Sequence, residues 1–195
     1  PETSSEIPEE EEAAYPAELP SGPPPKRKRQ TVNTGQQHQA SQAIDALWRD
    51  RYFETQTQAR CGRHALNNLV GAPQFTDDDM HTTCMRVLAE TGEEEWRHQL
   101  PGGWYSHSVL AQALERTAWQ LLLVPLASTS YAHVLHDNQI AGAIVNQDNI
   151  HWSAVVKHAD NCWHVDSRST PKILTEAEYE ELIGMHPHTY AVHHR

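Results

Sequence analysis

The spacing of apolar residues changes along the chain. Up to residue 118, beginning near residue 43, apolar side chains recur every three or four positions, which is typical of helices with one buried face. From residue 119 onward, branched and aromatic residues come in short runs separated by polar turns, which is typical of strands. Helices followed by strands predict an α+β fold, with a helical half packed against a mostly antiparallel sheet.

The helical half contains start and stop signals. We predict a short helix within residues 41–56, leading into the loop before Cys61, and further helices over 62–70, 75–92 and 106–118. Ser41 and Thr76 fit N-cap positions, and the GAP sequence at 71–73 and Gly92 fit helix ends. The positions on the apolar stripes are Ile44, Leu47, Trp48, Ala65, Leu66, Leu69, Met80, Cys84, Val87, Leu88, Val109, Leu110, Ala113 and Leu114. Residues 93–104 are ambiguous, with a short helix before a Pro-Gly-Gly break.

The second half is predicted to form a sheet. Strands are expected over residues 119–126, 140–147, 151–158, 161–167 and 189–194, and Thr175 with Glu178 predicts a capping box for a helix over 176–185. A turn at 159–161 would make a hairpin in which Asp166 lies nearly opposite His151. The same register pairs Ser153 with His164 and Val155 with Cys162.

The first 42 residues have a different composition. Residues 1–24 contain seven glutamates and many prolines but no Lys or Arg, which predicts a disordered tail before a domain over 43–195. The basic cluster KRKR at 26–29 fits either a nuclear-localisation signal or a nucleic-acid contact, so we expect a location in the cytoplasm or the nucleus. Pro1 stands where a complete chain would start with Met, which leaves open that these residues are part of a longer protein.

The charge of residues 43–195 limits the partners. This part has 19 acidic and 11 basic residues, a net charge of −8, so nucleic-acid binding by the folded domain is not expected and a basic partner fits better. No apolar run is long enough to span a bilayer, so no membrane partner is expected. We expect a monomer. The histidine pairs near the C-terminus lack zinc-site spacing, and no metal or cofactor is expected.

Cys61 stands at the point where a loop gives way to a helix. Three cysteines at irregular spacing are too few for a disulfide framework and fit reduced thiols. Unpaired N–H groups at a helix start, with Arg60 and Arg63 nearby, favour thiolate over thiol. Cys84 instead lies on an apolar stripe and fits a packing role. Position alone leaves Cys61 open as a nucleophile, a metal ligand or a core thiol.

A thiolate nucleophile needs a base and a group that orients the base. His64 lies one turn along the same helix, whereas His151 opens a strand and can face the thiol from outside. Asp166, on the next strand, can orient His151. The Cys61 backbone N–H and the Gln56 side-chain amide are candidate donors for an oxyanion. Each of these residues, considered alone, also fits a purely structural role without any part in catalysis.

Three blocks of the sequence resemble those of Josephin-domain deubiquitinases, which have a papain-like cysteine protease fold. They are QTQARCGRHALNNL at 56–69, GGWYSHSVLAQAL at 102–114, and HWSAVVKHADNCWHVDS at 151–167. The resemblance implies Cys61 as nucleophile, His151 as general base and then acid, Asp166 as orienting group, and Gln56 in the oxyanion hole. It also implies ubiquitin or polyubiquitin conjugates as substrate, no cofactor, and a helical hairpin at about 75–100 that projects as an arm beside the cleft.

The chain departs from the family pattern in two places. Some members have Asn where this chain has Asp166, and a carboxylate should hold the histidine tautomer at least as well. The exposed face of 106–118 carries His107 and Thr117, so linkage preference does not transfer. A papain-like hydrolase for a ubiquitin-like modifier or another amide, and a non-catalytic ubiquitin-binding module, are the alternatives. A zinc-binding role is less favoured by the sequence than either of these alternatives.

Overall fold

A computed structural model describes residues 46–100, 103–125 and 130–194, except for the side chains of 122–125. The predicted tail, its KRKR cluster, Ser41 and Ile44 lie outside the described residues. Residues 46–48 are helical. The elements that follow are α1 (Cys61–Val70), α2 (Asp77–Thr91), a 3-10 helix (Glu95–Arg97), β1 (Gln99–Leu100), β2 (Trp104–Tyr105), α3 (His107–Glu115), β3 (Trp119–Pro125), α4 (Tyr131–His136), β4 (Ile140–Gln147), β5 (His151–His158), β6 (Asn161–Val165), β7 (Lys172–Leu174), α5 (Glu176–Met185) and β8 (Thr189–His194).

Six of the strands form one antiparallel sheet in the order β3-β8-β4-β5-β6-β7. Alternate residues of β5 pack on opposite faces of this sheet. Trp152, Ala154 and Val156 join a core with α1, α2 and α3, whereas Val155 joins a second core with α4 and α5. The predicted α+β fold, with a helical half against an antiparallel sheet, is confirmed.

The start of α1 is pressed between α3 and β5. A side chain at Gly62 would place its Cβ 3.0 Å from Leu110 and 3.4 Å from Trp152, so only glycine permits this approach without displacing either neighbour. The helix ends at Gly71, whose φ of 73° is left-handed. The contact with β5 brings the first residue of α1 close to the first residue of that strand.

The predicted helix caps are found in the structure. Thr76 and Asp79 form a capping box at the start of α2, Gly92 ends that helix, and Thr175 and Glu178 form a capping box on α5. The predicted stripes of α1 and α3 are buried, and so are Met80, Cys84 and Val87 of α2. Leu88 is only partly buried. Leu47 is 45% exposed, so its place on a core-facing stripe was wrong.

Several short elements were not predicted. The ambiguous segment after α2 forms the 3-10 helix and then the two-stranded sheet of β1 and β2. Helix α4 and strand β7 were missed, and both are short. Short elements carry little periodic signal, because one helical turn or three strand residues fit several patterns.

The register predicted for the β5–β6 hairpin was wrong by two residues. The observed pairs include Val155 with His164 and Lys157 with Cys162, because Asn161 belongs to the strand and pairs with His158. The turn is therefore two residues long, and both have the positive φ of a type I′ turn, 48° at Ala159 and 56° at Asp160. A shift of two residues keeps every side chain on its face. Strand β6 also ends at Val165, before the predicted 167.

Candidate active site

Cys61 is the first residue of α1 and is 2% exposed. No side chain caps this helix start, so the unpaired N–H groups of its first turn remain beside the thiol. Arg60 and Arg63 both pair with Asp77 of α2, with Arg63 Nε 3.1 Å from Asp77 Oδ1. The sequence had suggested that these arginines support a thiolate, but their charge is shared with a carboxylate that the sequence did not identify.

His151 and Asp166 form a buried pair. His151 Nε2 lies 2.9 Å from Asp166 Oδ1, and the two residues are 4% and 8% exposed. The shift in the hairpin register places Asp166 diagonally across from His151 instead of directly opposite. The side chains still meet, because diagonal neighbours on one face of an antiparallel pair remain within reach.

The thiol meets the same imidazole. Burial lowers the pKa of His151, but hydrogen bonds to Asp166 and to Cys61 outweigh burial and leave that pKa raised. Since Nε2 is engaged by Asp166, the other ring nitrogen is left for the thiol. The structure therefore brings together the three residues predicted to be catalytic: Cys61, His151 and Asp166.

Asp166 has a second partner that the sequence did not reveal. The backbone N–H and the Nε of Arg168 donate to Oδ1 at 2.9 and 3.3 Å, and Nη2 donates to Oδ2 at 3.1 Å. Burial opposes ionisation of Asp166, but the hydrogen bonds from His151 and Arg168 hold its pKa well below the usual range. The carboxylate is thus charged and fixed from two sides.

Gln56 lies next to the segment that follows Asp166. Its backbone N–H donates to the Ser167 carbonyl at 2.7 Å, and the Ser167 hydroxyl donates to Gln56 Oε1 at 3.2 Å. The Gln56 amide also donates to the Gln58 carbonyl at 2.7 Å. An amide nitrogen has two hydrogens, so one further hydrogen bond is available from Gln56 Nε2.

Polar residues of α1 hold the loop that carries Gln56. His64 is 1% exposed, its Nδ1 lies 2.8 Å from Glu54 Oε1, and the Thr57 N–H donates to its Nε2 at 3.3 Å. Asn67 donates to the same Glu54 oxygen at 3.0 Å, and Asn68 accepts from the Glu54 N–H at 2.7 Å. We did not predict from the sequence that α1 holds this loop, although three polar residues on a buried helix indicate such a structural role.

A cleft of about 740 Å³ opens between the 3-10 helix, β1, β2 and the sheet. Its walls include Glu93, Trp96, Arg97, His98, Leu100, Trp104, Ser106, His107, Asn149, Trp152 and Tyr190. Trp104 stacks on Trp152 with ring centroids 6.2 Å apart, and Trp152 Cδ1 would lie 3.4 Å from a Cβ at Gly62. The aromatic wall therefore leads to the residues that follow His151 and Cys61 in the sequence.

The described residues contain neither a metal-binding cluster nor a membrane-spanning helix. No group of three or more His, Cys, Asp and Glu side chains there is arranged to hold a metal ion. Among the helices of the same residues, none has the length and apolarity required to cross a membrane.

A cysteine at a helix start, facing a histidine on an antiparallel sheet, is the arrangement of papain-like cysteine proteases, and the fold is of that class. The Josephin family model matches residues 56–188, so the chain belongs to the Josephin family, whose members are generally cysteine deubiquitinases. The chain is also 24% identical over 148 residues to "Ataxin-3 homolog" of Caenorhabditis briggsae. This match covers 68% of the chain but only 44% of that relative, so the chain spans less than half of its length.

Proposed function

We propose that this protein is a deubiquitinase that hydrolyses isopeptide or peptide bonds at the C-terminal glycine of ubiquitin. The observation that carries the proposal is the contact of His151 with both Cys61 and Asp166 at the start of α1. Membership of the Josephin family supports the choice of ubiquitin over other amide substrates. The acidic composition of residues 43–195 suits a partner with a basic surface.

The proposed reaction has two steps. The free nitrogen of His151 takes the proton of the Cys61 thiol, and the sulfur forms a bond to the carbonyl carbon of the terminal glycine. The Cys61 N–H and the Gln56 amide donate to the oxyanion of the tetrahedral intermediate. The C–N bond then breaks, the leaving amine takes the proton from His151, and a thioester remains. A water that gives its proton to His151 hydrolyses the thioester and frees the thiol.

The cleft is the proposed site for the extended C-terminal tail of ubiquitin. Its aromatic wall can cover apolar side chains of an extended peptide. The wall includes Trp152, the residue after His151, so a tail bound in the cleft would lie near the start of the strand that carries His151.

Turnover of ubiquitin with a fluorogenic group at its C-terminus tests the proposal. We expect Cys61→Ala to abolish turnover, because the proposed thioester forms on the Cys61 sulfur. Cys84→Ala is the matched control, because Cys84 is a fully buried thiol of α2 outside the site and its variant should retain the wild-type kcat.

Labelling separates the proposal from its alternatives. A ubiquitin probe with an electrophile at its C-terminus should label Cys61 and leave Cys84 and Cys162 unlabelled. Binding of the probe without labelling would identify a non-catalytic ubiquitin-binding module. Labelling of Cys61 only by probes built on a ubiquitin-like modifier would identify a different substrate, and labelling of Cys84 or Cys162 would refute the assigned nucleophile.

A further inference from the structure

We propose that Arg168 is a positioning residue that acts through Asp166, holding the carboxylate toward His151 and offsetting its charge. The proposal rests on the function proposed above, because it concerns the proton that His151 takes and returns. Among the described residues, Arg168 has no hydrogen bond or ion pair with Cys61 or His151, so its effect would pass through the carboxylate.

The geometry of the carboxylate is the first argument. Asp166 Oδ1 lies 2.9 Å from His151 Nε2, and it accepts hydrogen bonds from the Arg168 backbone N–H at 2.9 Å and from Arg168 Nε at 3.3 Å. Oδ2 receives Arg168 Nη2 at 3.1 Å. A guanidinium that spans both oxygens fixes the plane of a carboxylate, which a single contact does not. The orientation of Asp166 toward the imidazole is therefore set by Arg168 as well as by His151.

The fixed position of Arg168 is the second argument. The Arg168 side chain is 51% exposed, and an arginine this exposed is commonly free to move. Here Nη2 also donates to Gln147 Oε1 at 3.3 Å, and the Gln147 amide donates to the Ser153 hydroxyl at 2.9 Å. The same hydroxyl lies 2.9 Å from His164 Nε2. Gln147 of β4 thus holds the guanidinium, and Ser153 of β5 and His164 of β6 extend the same chain of hydrogen bonds.

The charge balance is the third argument. The charged or titratable groups facing His151 are Cys61 from α1, Asp166 from the segment after β6, and His164 from β6. An unbalanced carboxylate would stabilise the imidazolium strongly and slow the return of its proton to the leaving amine. Arg168 supplies a cation within about 6 Å of the imidazole, since both contact the same oxygen. This cation weakens the electrostatic attraction between the Asp166 carboxylate and the His151 imidazolium, so the imidazolium releases its proton more readily.

Titration of the His151 ring by NMR tests the proposal without any ubiquitin substrate. The Cys61→Ala background is used so that the imidazole titrates without the coupled thiol, and His151→Gln assigns the signal. Removing the cation stabilises the imidazolium, so Arg168→Gln and Arg168→Met should raise the titration midpoint by roughly half a pH unit or more. Arg168→Lys keeps the charge and should restore most of the wild-type midpoint.

Arg86→Gln is the matched control, because it removes the same charge from an exposed position of α2 and should leave the midpoint unchanged. A midpoint that stays in place or falls in both Arg168→Gln and Arg168→Met would overturn the proposal, as would an equal rise in Arg168→Lys. Because this readout needs no turnover, its result stands whether or not the chain proves to be a deubiquitinase.

Discussion

Single residues other than the proposed catalytic residues Cys61, His151 and Asp166 stabilise much of the local structure of the site. Glu54 is the main example, since His64, Asn67 and Tyr52 all contact its carboxylate, with the Tyr52 hydroxyl donating at 2.8 Å. Burial raises the pKa of Glu54, but these three hydrogen bonds outweigh burial and leave that pKa lowered. Glu54 therefore stabilises the loop that carries Gln56 when it is ionised.

The residue-scale prediction concerns Glu54→Gln. The amide keeps one acceptor but loses the charge and the acceptor for Tyr52, so we expect the free energy of unfolding at pH 7 to fall by about 1–2 kcal/mol. A carboxylate with a lowered folded-state pKa stabilises the protein above its unfolded pKa near 4.5, and this contribution is lost as pH falls through the folded value. The variant and the wild type should therefore converge in stability on acidification below that range.

Urea unfolding at pH 7 and at successively lower pH measures this difference. Glu180→Gln, which changes an exposed glutamate of α5, should show no comparable loss at pH 7. A Glu54→Gln variant as stable as wild type at pH 7 would show that the loop is held by the asparagines alone.

Gly142 of β4 lies where β4 approaches the backbone of β5 closely enough to exclude a side chain, so it affects the pairing of the two strands. The pairing of β4 with β8 shifts between Ile140 and Gly142, which marks a bulge. A Cβ at Gly142 would overlap the backbone carbonyl oxygen of Val155 on β5, and backbone cannot move aside as a flexible side chain can. The pairing of β4 with β5, the strand that begins with His151, therefore requires that residue 142 has no side chain.

The element-scale prediction is the effect of Gly142→Ala. We expect it to lower the free energy of unfolding by about 2–4 kcal/mol, because the overlap separates β4 from β5. Gly184→Ala is the matched control, since a Cβ there meets nothing within 4 Å. That substitution lies in helix α5 and should raise the free energy by up to about 1 kcal/mol. Urea unfolding of the two variants compares them directly, and equal effects would contradict the argument.

The whole molecule forms the cleft from segments far apart in the sequence. Trp96 of the 3-10 helix lies on its wall and is 60% exposed, with the Arg97 guanidinium 5.4 Å from the centre of its ring. A large aromatic side chain this exposed adds little to folding but much to binding when a partner covers it. Its position suits contact with the proposed substrate.

The prediction at this scale is that Trp96→Ala raises KM for the fluorogenic ubiquitin substrate by about tenfold and leaves kcat within about twofold. Thermal unfolding should be nearly unchanged, because little buried surface is lost. Met185→Ala removes another exposed apolar side chain, 58% exposed on α5, and should leave both constants as in wild type. A fall in kcat at constant KM would instead place Trp96 in the catalytic step.

The sequence by itself determined the longer helices, the main strands and the residues able to do thiol chemistry. Periodicity, caps such as Thr76 and Thr175, and the side chains of Cys61, His151 and Asp166 are local information, available before any contact is known. It also fixed the shared face of His151 and Asp166, because strand alternation has a period of two.

Only the tertiary structure decided the register of the β5–β6 hairpin, the pairing of Arg60 and Arg63 with Asp77, the clasp of Arg168 on Asp166, and the cleft. The register depended on whether Asn161 joined the turn or the strand, a choice that short sequence patterns leave open. The arginine pairs and the cleft join residues from separate elements, and their distances follow from how the helices and the sheet pack, which no local pattern encodes. Arg168 lies only two residues after Asp166, but its further contact with Gln147 of β4 depends on the sheet.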